Sequence, residues 1–199
     1  MREMIKMVVT LTILAAVAGG LLSVVKISTA ERIDQAVLEF VQGPAIISIM
    51  EDVSNDPLED RFAIEINEEE KNFFVGKVNG VPRLVAFEEG ASGYGGPLGV
   101  MVGVDIETDN IVGIGITTHS ETPGVGSRAA TDIRFQRSFV GIPVTDDGRI
   151  RLGEDDGDIA NIGGATITAR AVATAVRRAG VLYQENQTEI KTKVAAFSN

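Results

Sequence analysis

The stretch from Leu98 to Thr118, LGVMVGVDIETDNIVGIGITT, gives the clearest indication of the fold class of this chain. Its two halves, Leu98 to Ile106 and Ile111 to Thr118, alternate valine and isoleucine with glycine and polar residues, which is typical of β-strands. The polar residues Glu107 to Asn110 between them predict a turn. Two strands joined by so short a turn pair antiparallel, so the sequence predicts an antiparallel sheet.

A second hairpin is predicted just before this stretch. Phe73 to Val78 and Val81 to Glu88 have strand character, and they flank Asn79-Gly80, a dipeptide that favours a tight hairpin turn. Pro82 has no backbone N–H, which predicts that this end of the strand lies at an edge of the sheet.

Helices are predicted before and after the strands along the chain. Thr166 to Tyr183 is rich in alanine, and its apolar residues recur at helical spacing. These residues are Ile167, Ala171, Val172, Ala175, Val176 and Ala179. Thr29 to Val41 also has helical spacing and is predicted to end before Gly43-Pro44. The acidic, poorly periodic residues from Glu51 to Glu70 predict a loop or connector.

The N-terminus carries a candidate membrane anchor. Met7 to Val25 is a run of 19 uncharged residues, and as a helix it reaches about 28 Å, the hydrocarbon thickness of a bilayer. Arg2 and Lys6 precede it, so the positive-inside rule places the N-terminus in the cytoplasm and the rest of the chain outside. A signal peptide cleaved near Ala30 is the alternative, but the apolar run is long for one.

Composition excludes several classes of function. The 199 residues carry a formal net charge of −10, contain no cysteine and include a single histidine, His119. An acidic surface argues against nucleic-acid binding. The absence of cysteine excludes disulfides, iron–sulfur clusters and thiol nucleophiles, and with one histidine a zinc site is not expected. Redox chemistry in this chain therefore needs a borrowed cofactor.

Three stretches could carry chemistry, and the first is Gly163 to Thr168, GGATIT. Alone, it predicts a glycine turn and a helix start with Thr166 as the N-cap. A helix N-terminus also favours a phosphate, because its backbone N–H groups are unpaired and carry partial positive charge. Thr168 adds a hydroxyl that can form a phosphate ester, with no group nearby in sequence to activate it as a nucleophile.

The second and third stretches are loops. His119 to Gly126, HSETPGVG, predicts either a polar loop or a rigid Pro-Gly loop that lays backbone amides and Glu121-Thr122 against a planar ligand. A His119–Glu121 acid–base pair is disfavoured, because this spacing in a loop fixes no geometry. Gly93 to Leu98, GYGGPL, predicts a turn in which Tyr94 could pack against an aromatic ring system.

Taken together and in this order, the three stretches resemble the FMN-binding domain of the G subunit of the Rnf electron-transport complex. The C subunit of the sodium-pumping NADH:quinone oxidoreductase shares that domain. The matching segments are GYGGPLGVMVGVD from Gly93, HSETPGVG from His119 and GATITARAV from Gly164. The resemblance implies an α+β fold: a transmembrane helix, then one FMN-binding domain with an antiparallel sheet and flanking helices. The implied boundaries are 1–25 for the N-terminus and anchor, 26–60 for a juxtamembrane helix and connector, and 61–199 for the domain.

The resemblance also implies a cofactor and partners. In that family, a flavin transferase of the ApbE type esterifies FMN to the last threonine of a Ser/Thr-Gly-Ala-Thr-x-Thr motif, which here is Thr168. Other implied FMN contacts are Gly164, Ala165, Thr166, Glu121, Thr122, Gly124, Val125, Gly126 and Tyr94. The motif's opening Ser/Thr is Gly163 here, and an aspartate that often lies three residues earlier is Ala160.

The function implied is that of an electron carrier, not a complete enzyme. The chain would be a single-pass protein of the bacterial or archaeal inner membrane, with its domain outside the cytoplasm, in a complex that passes electrons between ferredoxin and NAD and moves ions. Other membrane subunits would be its partners. Two alternatives remain open: a membrane-anchored, flavin-free binding or scaffold module, and a stand-alone extracytoplasmic flavin reductase.

Overall fold

The computed structural model describes residues 1–67 and 69–198. Contacts divide the chain into two units, residues 1–40 and 41–199. The first consists of helix α1, Arg2–Val37, which continues into a π-helical segment, Leu38–Gln42. Arg2–Ala30 is long and apolar enough to cross a membrane, and its side chains are exposed in the structure. This length and composition agree with the predicted anchor.

The second unit is built on a five-stranded antiparallel sheet in the order β1-β2-β3-β4-β5. The strands are β1 Arg61–Ile66, β2 Glu69–Val78, β3 Val81–Ser92, β4 Pro97–Asp105 and β5 Asn110–His119. Helix α2 spans Gly43–Ile49, α3 spans Ile133–Arg137, and α4 spans Thr166–Ala195. Short 3₁₀ turns cover Gly126–Ala130, Gly153–Asp155 and Ala196–Ser198. The predicted α+β class is confirmed.

Both predicted hairpins are confirmed. Asn79 and Gly80 join β2 to β3 with φ values of 53° and 80°, a left-handed pair that glycine and asparagine adopt most readily. Pro82 lies at the sheet corner as predicted: β3 pairs with β4 only from Leu84 onward, so Pro82 has a neighbour on one side alone. Its missing N–H therefore leaves no ladder bond unmade.

The sheet is covered on both faces. Phe73, Val85 and Val102 belong to the core that packs under α4. Their sequence neighbours point to the opposite face, because side chains alternate along a strand. On that face β4 and β5 carry glycines where α2 approaches, and a Cβ at Gly103 would clash with Ile49. Two buried faces explain why β4 is buried along nearly its whole length.

Two sequence predictions about the segments before the sheet need correction. The helical stretch predicted over Thr29 to Val41 does not stop before Gly43-Pro44. α1 ends at Val37, but the π-helical segment Leu38–Gln42 continues directly into α2 at Gly43, where proline is tolerated in the first turn. The connector predicted from Glu51 to Glu70 contains β1 and the start of β2, although Glu68 itself lies outside the described residues. β1 is an edge strand with half-exposed residues, which weakens its sequence pattern.

The last helix is longer than predicted, and one predicted core residue lies outside the core. α4 continues to Ala195, well past Tyr183. Of the predicted apolar face, the residues from Ala171 to Ala179 are buried, whereas Ile167 is 53% exposed. The first turn of α4 therefore presents an apolar side chain to solvent.

Candidate functional site

The three stretches selected from the sequence meet in space, and Glu121 joins them. One carboxylate oxygen, Oε1, accepts the backbone N–H of Gly95 at 3.1 Å. The other, Oε2, accepts the hydroxyl of Thr168 at 2.8 Å. Residues separated by 26 and 47 positions along the chain thus share one carboxyl group. The strands position them: Gly95 lies in the β3–β4 turn, and Glu121 follows the end of β5.

The pair formed by Glu121 and Thr168 is buried. Thr168 is 2% exposed and Glu121 6% exposed. Two glycines make room for it. A Cβ at Gly93 would clash with Oε1 of Glu121, and a Cβ at Gly126 would clash with Oε2 and lie 3.0 Å from the hydroxyl of Thr168. The glycines of both loop motifs therefore bring backbone close to this carboxylate.

The structure corrects two expectations about GGATIT. Thr166 is not the N-cap of α4: Ala165 occupies that position, and no side chain among the described residues caps the first turn. The hydroxyl of Thr168 is also not isolated from activating groups, because it donates to the carboxylate of Glu121. No signal in the sequence could reveal this contact, since 47 residues separate the partners.

Helix α4 presents its N-terminus at this site. Ala169 is the first residue whose N–H bonds back to the N-cap carbonyl, so Thr166, Ile167 and Thr168 form the first turn. Such N–H groups and the helix dipole favour an anion. Gly164 precedes the turn with a φ of 81° and has open space where a side chain would lie.

Arg128 is a site residue that the sequence analysis missed. Its guanidinium Nη1 donates to the carbonyl oxygen of Gly163 at 3.2 Å, which ties the 3₁₀ turn after HSETPGVG to the loop before α4. Asp132, 3.9 Å away, is its nearest acidic partner in the part of the chain that the structure describes. The side chain is 44% exposed, so a cation is available beside the start of α4.

The loop around Glu121 is ordered by local bonds. The backbone N–H of Glu121 donates to Nδ1 of His119 at 3.3 Å, so the imidazole contacts the backbone and not the carboxylate. The backbone N–H of Val125 donates to the carbonyl of Thr122 at 3.2 Å, and that of Gly124 to the hydroxyl of Ser127 at 2.9 Å. Thr122 to Val125 therefore form a compact, exposed turn.

Each of the three stretches also exposes one large apolar side chain. Tyr94 is 72% exposed, Val125 43%, and Ile167 is the third. Single exposed apolar side chains are common on protein surfaces, and these three belong to the stretches that meet at Glu121.

Comparisons with known proteins identify the family of the chain. Residues 93–180 match the family model of the FMN-binding domain, a range that includes all three stretches. The G subunit of the ion-translocating oxidoreductase complex of Cronobacter sakazakii is 31% identical over 199 residues, covering 96% of this chain and 95% of that protein. The protein of the same name from Photorhabdus laumondii is 31% identical, with 88% of each chain covered.

Among solved structures, a related fold is found in a subunit of another bacterium. The crystal structure of NqrC from Shewanella oneidensis superposes with a TM-score of 0.52 and 20% sequence identity, over 71% of this chain and 73% of that one. At this identity the likeness concerns the fold alone.

Proposed function

Because the chain belongs to the G-subunit family of ion-translocating oxidoreductase complexes, as its motifs predicted, we propose that it is an electron-carrying flavoprotein with FMN attached covalently through its phosphate to Thr168. The proposed complex is membrane-bound and passes electrons between ferredoxin and NAD while it moves ions. The observation that carries the proposal is the meeting of Thr168, Glu121 and the Gly93 to Leu98 loop at the N-terminus of α4.

The residues present fit the phosphate end of FMN. The first turn of α4 offers backbone N–H groups, Gly163 and Gly164 leave open space beside it, and Arg128 supplies a positive charge near Gly163. Thr168 supplies the hydroxyl for the ester. In the described part of the chain, no group of three or more His, Cys, Asp or Glu side chains is placed to hold a metal ion.

The isoalloxazine ring is proposed to lie against the two loops. Glu121, Thr122 and the Gly124 to Gly126 backbone form one side, and Tyr94 forms the other. Ala165 and Thr166 complete the contacts at the helix start. The exposed turn of Thr122 and Val125 supports this arrangement, since amides and hydroxyls there can bond to the polar edge of a flavin. We expect Thr122→Val to shift the flavin's absorption or reduction potential without releasing it, because hydrogen bonds to the ring tune its electronics.

When bound, FMN supplies one- and two-electron redox chemistry, which this cysteine-free chain cannot supply itself. The chain's own part is to attach, orient and surround the cofactor. Buried Glu121 would hold the attachment point in place. Tyr94 and Val125 are exposed, so a redox partner could approach the cofactor from their side. The proposed partners are the other membrane subunits of the complex.

The proposal places the domain on the outer side of the bacterial or archaeal cytoplasmic membrane, held by one span at Met7 to Val25. The helix Arg2–Ala30 and the flanking Arg2 and Lys6 support it. A reporter fused after Asn199 is expected to be active only if it is a type that works outside the cytoplasm. Activity of a reporter that works only in the cytoplasm would reverse the orientation.

Covalent attachment is tested by co-expression with a flavin transferase of the ApbE type, the proposed maturation partner. On a denaturing gel, the wild-type chain and Thr166→Val are expected to fluoresce and Thr168→Val is not. A fluorescent Thr168→Val band would rule out this acceptor. A wild-type band without flavin fluorescence would favour the alternative, a flavin-free binding module. The departures from the family's attachment motif at Gly163 and Ala160 would then account for the missing flavin. Co-purification with other membrane subunits separates the proposal from a stand-alone reductase.

A further inference from the structure

The side chain of Glu121 has a position that attachment of a cofactor alone does not require. We propose that Glu121 orients the hydroxyl of Thr168 and accepts its proton as the phosphate ester forms. This inference rests on the proposed attachment at Thr168. It makes the chain an active participant in its own modification, since the acceptor protein would contribute the base.

The hydroxyl of Thr168 is bonded differently from those of other threonines in α4. Thr174 and Thr192 donate to the backbone carbonyl four residues earlier, at 2.8 and 2.7 Å. For Thr168 that carbonyl belongs to Gly164, which precedes the helix, and the hydroxyl turns to Oε2 of Glu121 instead. The threonine placed to carry an ester is thus the one whose proton already points at a carboxylate.

The carboxylate is held in place without being neutralised by a cation. Gly95 fixes Oε1 through its N–H, and the closely packed Gly93 and Gly126 restrict the side chain's movement. Among residues 1–67 and 69–198, no lysine or arginine forms an ion pair with Glu121. Its Oε2 therefore remains available to take a proton.

The chemistry needs such a base. A threonine hydroxyl is a weak nucleophile unless a neighbouring group removes its proton in the transition state. Oε2 of Glu121 is 2.8 Å from the hydroxyl of Thr168, within the range required of a general base.

The step balances with an activated flavin donor, a dinucleotide that joins FMN to a second nucleotide by a phosphoanhydride bond. Oγ1 of Thr168 forms the new bond to the FMN phosphorus, and the phosphoanhydride P–O bond breaks. The electron pair of that bond leaves with the second nucleotide as its monophosphate. The hydroxyl proton passes to Oε2 of Glu121, and no redox change occurs.

The test measures transfer from flavin adenine dinucleotide by a purified flavin transferase of the ApbE type. The acceptor is the full chain in detergent, produced without flavin, and intact-protein mass reports the gain of one FMN less one water. The acceptor concentration is varied to give kcat and KM for each variant. Peptide mass mapping identifies the modified residue.

We expect Glu121→Gln to lower kcat by about 10²-fold or more, the usual contribution of a general base, with KM for the acceptor unchanged. Glu121→Asp keeps a carboxylate on a shorter side chain, and its kcat is expected to lie between those of the wild type and Glu121→Gln. Glu88→Gln is the matched control: Glu88 also accepts a threonine hydroxyl, that of Thr117, and this variant is expected to keep the wild-type kcat.

A wild-type kcat in Glu121→Gln would overturn the inference, and so would a loss confined to KM, which would show a structural role. Thermal unfolding of each acceptor checks that it is folded. If Glu121→Gln does not fold, Glu121→Asp decides, and a wild-type kcat there would count against a positioned base. If the wild-type chain gains no flavin, or gains it away from Thr168, the proposed function fails. If Thr168 is modified at the wild-type rate in the Glu121 variants, this inference is wrong and the proposed function stands.

Discussion

Among the described residues of this domain, two threonine–glutamate pairs can be compared, one in the sheet and one at the start of α4. In the sheet, Thr117 of β5 donates to Glu88 of β3. The two strands lie on either side of β4, and the side chains reach across Gly99, where a Cβ would clash with both. The pair of Thr168 and Glu121 has the same chemical groups and also depends on nearby glycines.

Their surroundings differ. Glu88 accepts a second bond from the side-chain amide of Gln42 at 2.5 Å, and the pair is half-buried among regular elements. Glu121 and Thr168 are buried between a loop and a helix N-terminus, where an anion is favoured. We therefore expect the pair beside the helix N-terminus to take part in flavin attachment, and the pair in the sheet to contribute to stability alone.

The largest expected difference comes from filling the two glycine positions. Gly126→Ala pushes a Cβ against Oε2 of Glu121 and is expected to slow flavin transfer by about 10²-fold, since a displacement near 1 Å has that effect on catalytic groups. Gly99→Ala crowds the sheet pair and should cost about 1–3 kcal/mol of stability while transfer stays at the wild-type rate. Transfer kinetics and thermal unfolding measure both. Equal rates of flavin transfer in Gly126→Ala and Gly99→Ala would contradict the distinction between the two pairs.

Removing the threonine hydroxyl of each pair is expected to lower the stability of the fold by different amounts. Thr168→Val leaves Oε2 of buried Glu121 without its donor, although Gly95 still donates to Oε1. We expect a loss of about 1–3 kcal/mol, the cost of a buried unsatisfied polar atom. Thr117→Val leaves Glu88 with Gln42 and access to water, so about 1 kcal/mol is expected. Urea unfolding of the full chain in detergent gives both values. A larger loss for Thr117→Val would contradict the ranking.

A third prediction concerns the other part of α4, far along the chain from Thr168. Asp109, in the β4–β5 turn, accepts bonds from Tyr183 at 2.6 Å, Gln187 at 3.0 Å and Lys191 at 2.8 Å. Burial alone would raise the pKa of Asp109, but these bonds and the charge of Lys191 outweigh it and hold the pKa below its ordinary value. Burial, together with Asp109, raises the pKa of Tyr183 above its ordinary range, so its hydroxyl stays a donor.

A lowered pKa in the folded state stabilises the fold above the unfolded pKa, about 4, and this stability is lost as the pH falls through the folded value. Asp109→Asn is therefore expected to cost about 1 kcal/mol at pH 7 and progressively less below pH 4. Urea unfolding at both pH values measures the difference. If the loss of stability in Asp109→Asn became larger at low pH, the lowered pKa of Asp109 in the folded state would be contradicted. Flavin attachment at Thr168 should be unaffected, because this contact lies well along α4.

The smallest effect is expected at Thr166. As an N-cap it would contribute about 1 kcal/mol, but it lies inside the first turn and its side chain caps no N–H. Thr166→Val should change stability by less than about 0.5 kcal/mol and leave the flavin attached. Unfolding and gel fluorescence together check this. A loss near 1 kcal/mol would restore the capping role that the sequence suggested.

Much of the fold was predictable because its signals are local. The Asn79-Gly80 turn, the alternation in Leu98 to Thr118 and the alanine-rich periodicity of α4 each act within a few residues. The two hairpins and the first half of α4 formed as predicted. The edge strand β1 escaped prediction because half-exposed residues alternate weakly. The end of α4 escaped because its polar second half joins the core through only a few residues, such as Ile190 and Val194.

Local sequence patterns were enough to specify the hairpins, the apolar N-terminal helix, the closing helix and the three stretches whose order indicates an FMN-binding domain. Two contacts of the site depend instead on the tertiary fold: Glu121 meets Thr168, and Arg128 reaches Gly163. The cause is separation along the chain. The hydrogen bond across 47 residues exists because the sheet brings the loop that carries Glu121 to the first turn of α4, and its geometry is set by packing that no local pattern encodes.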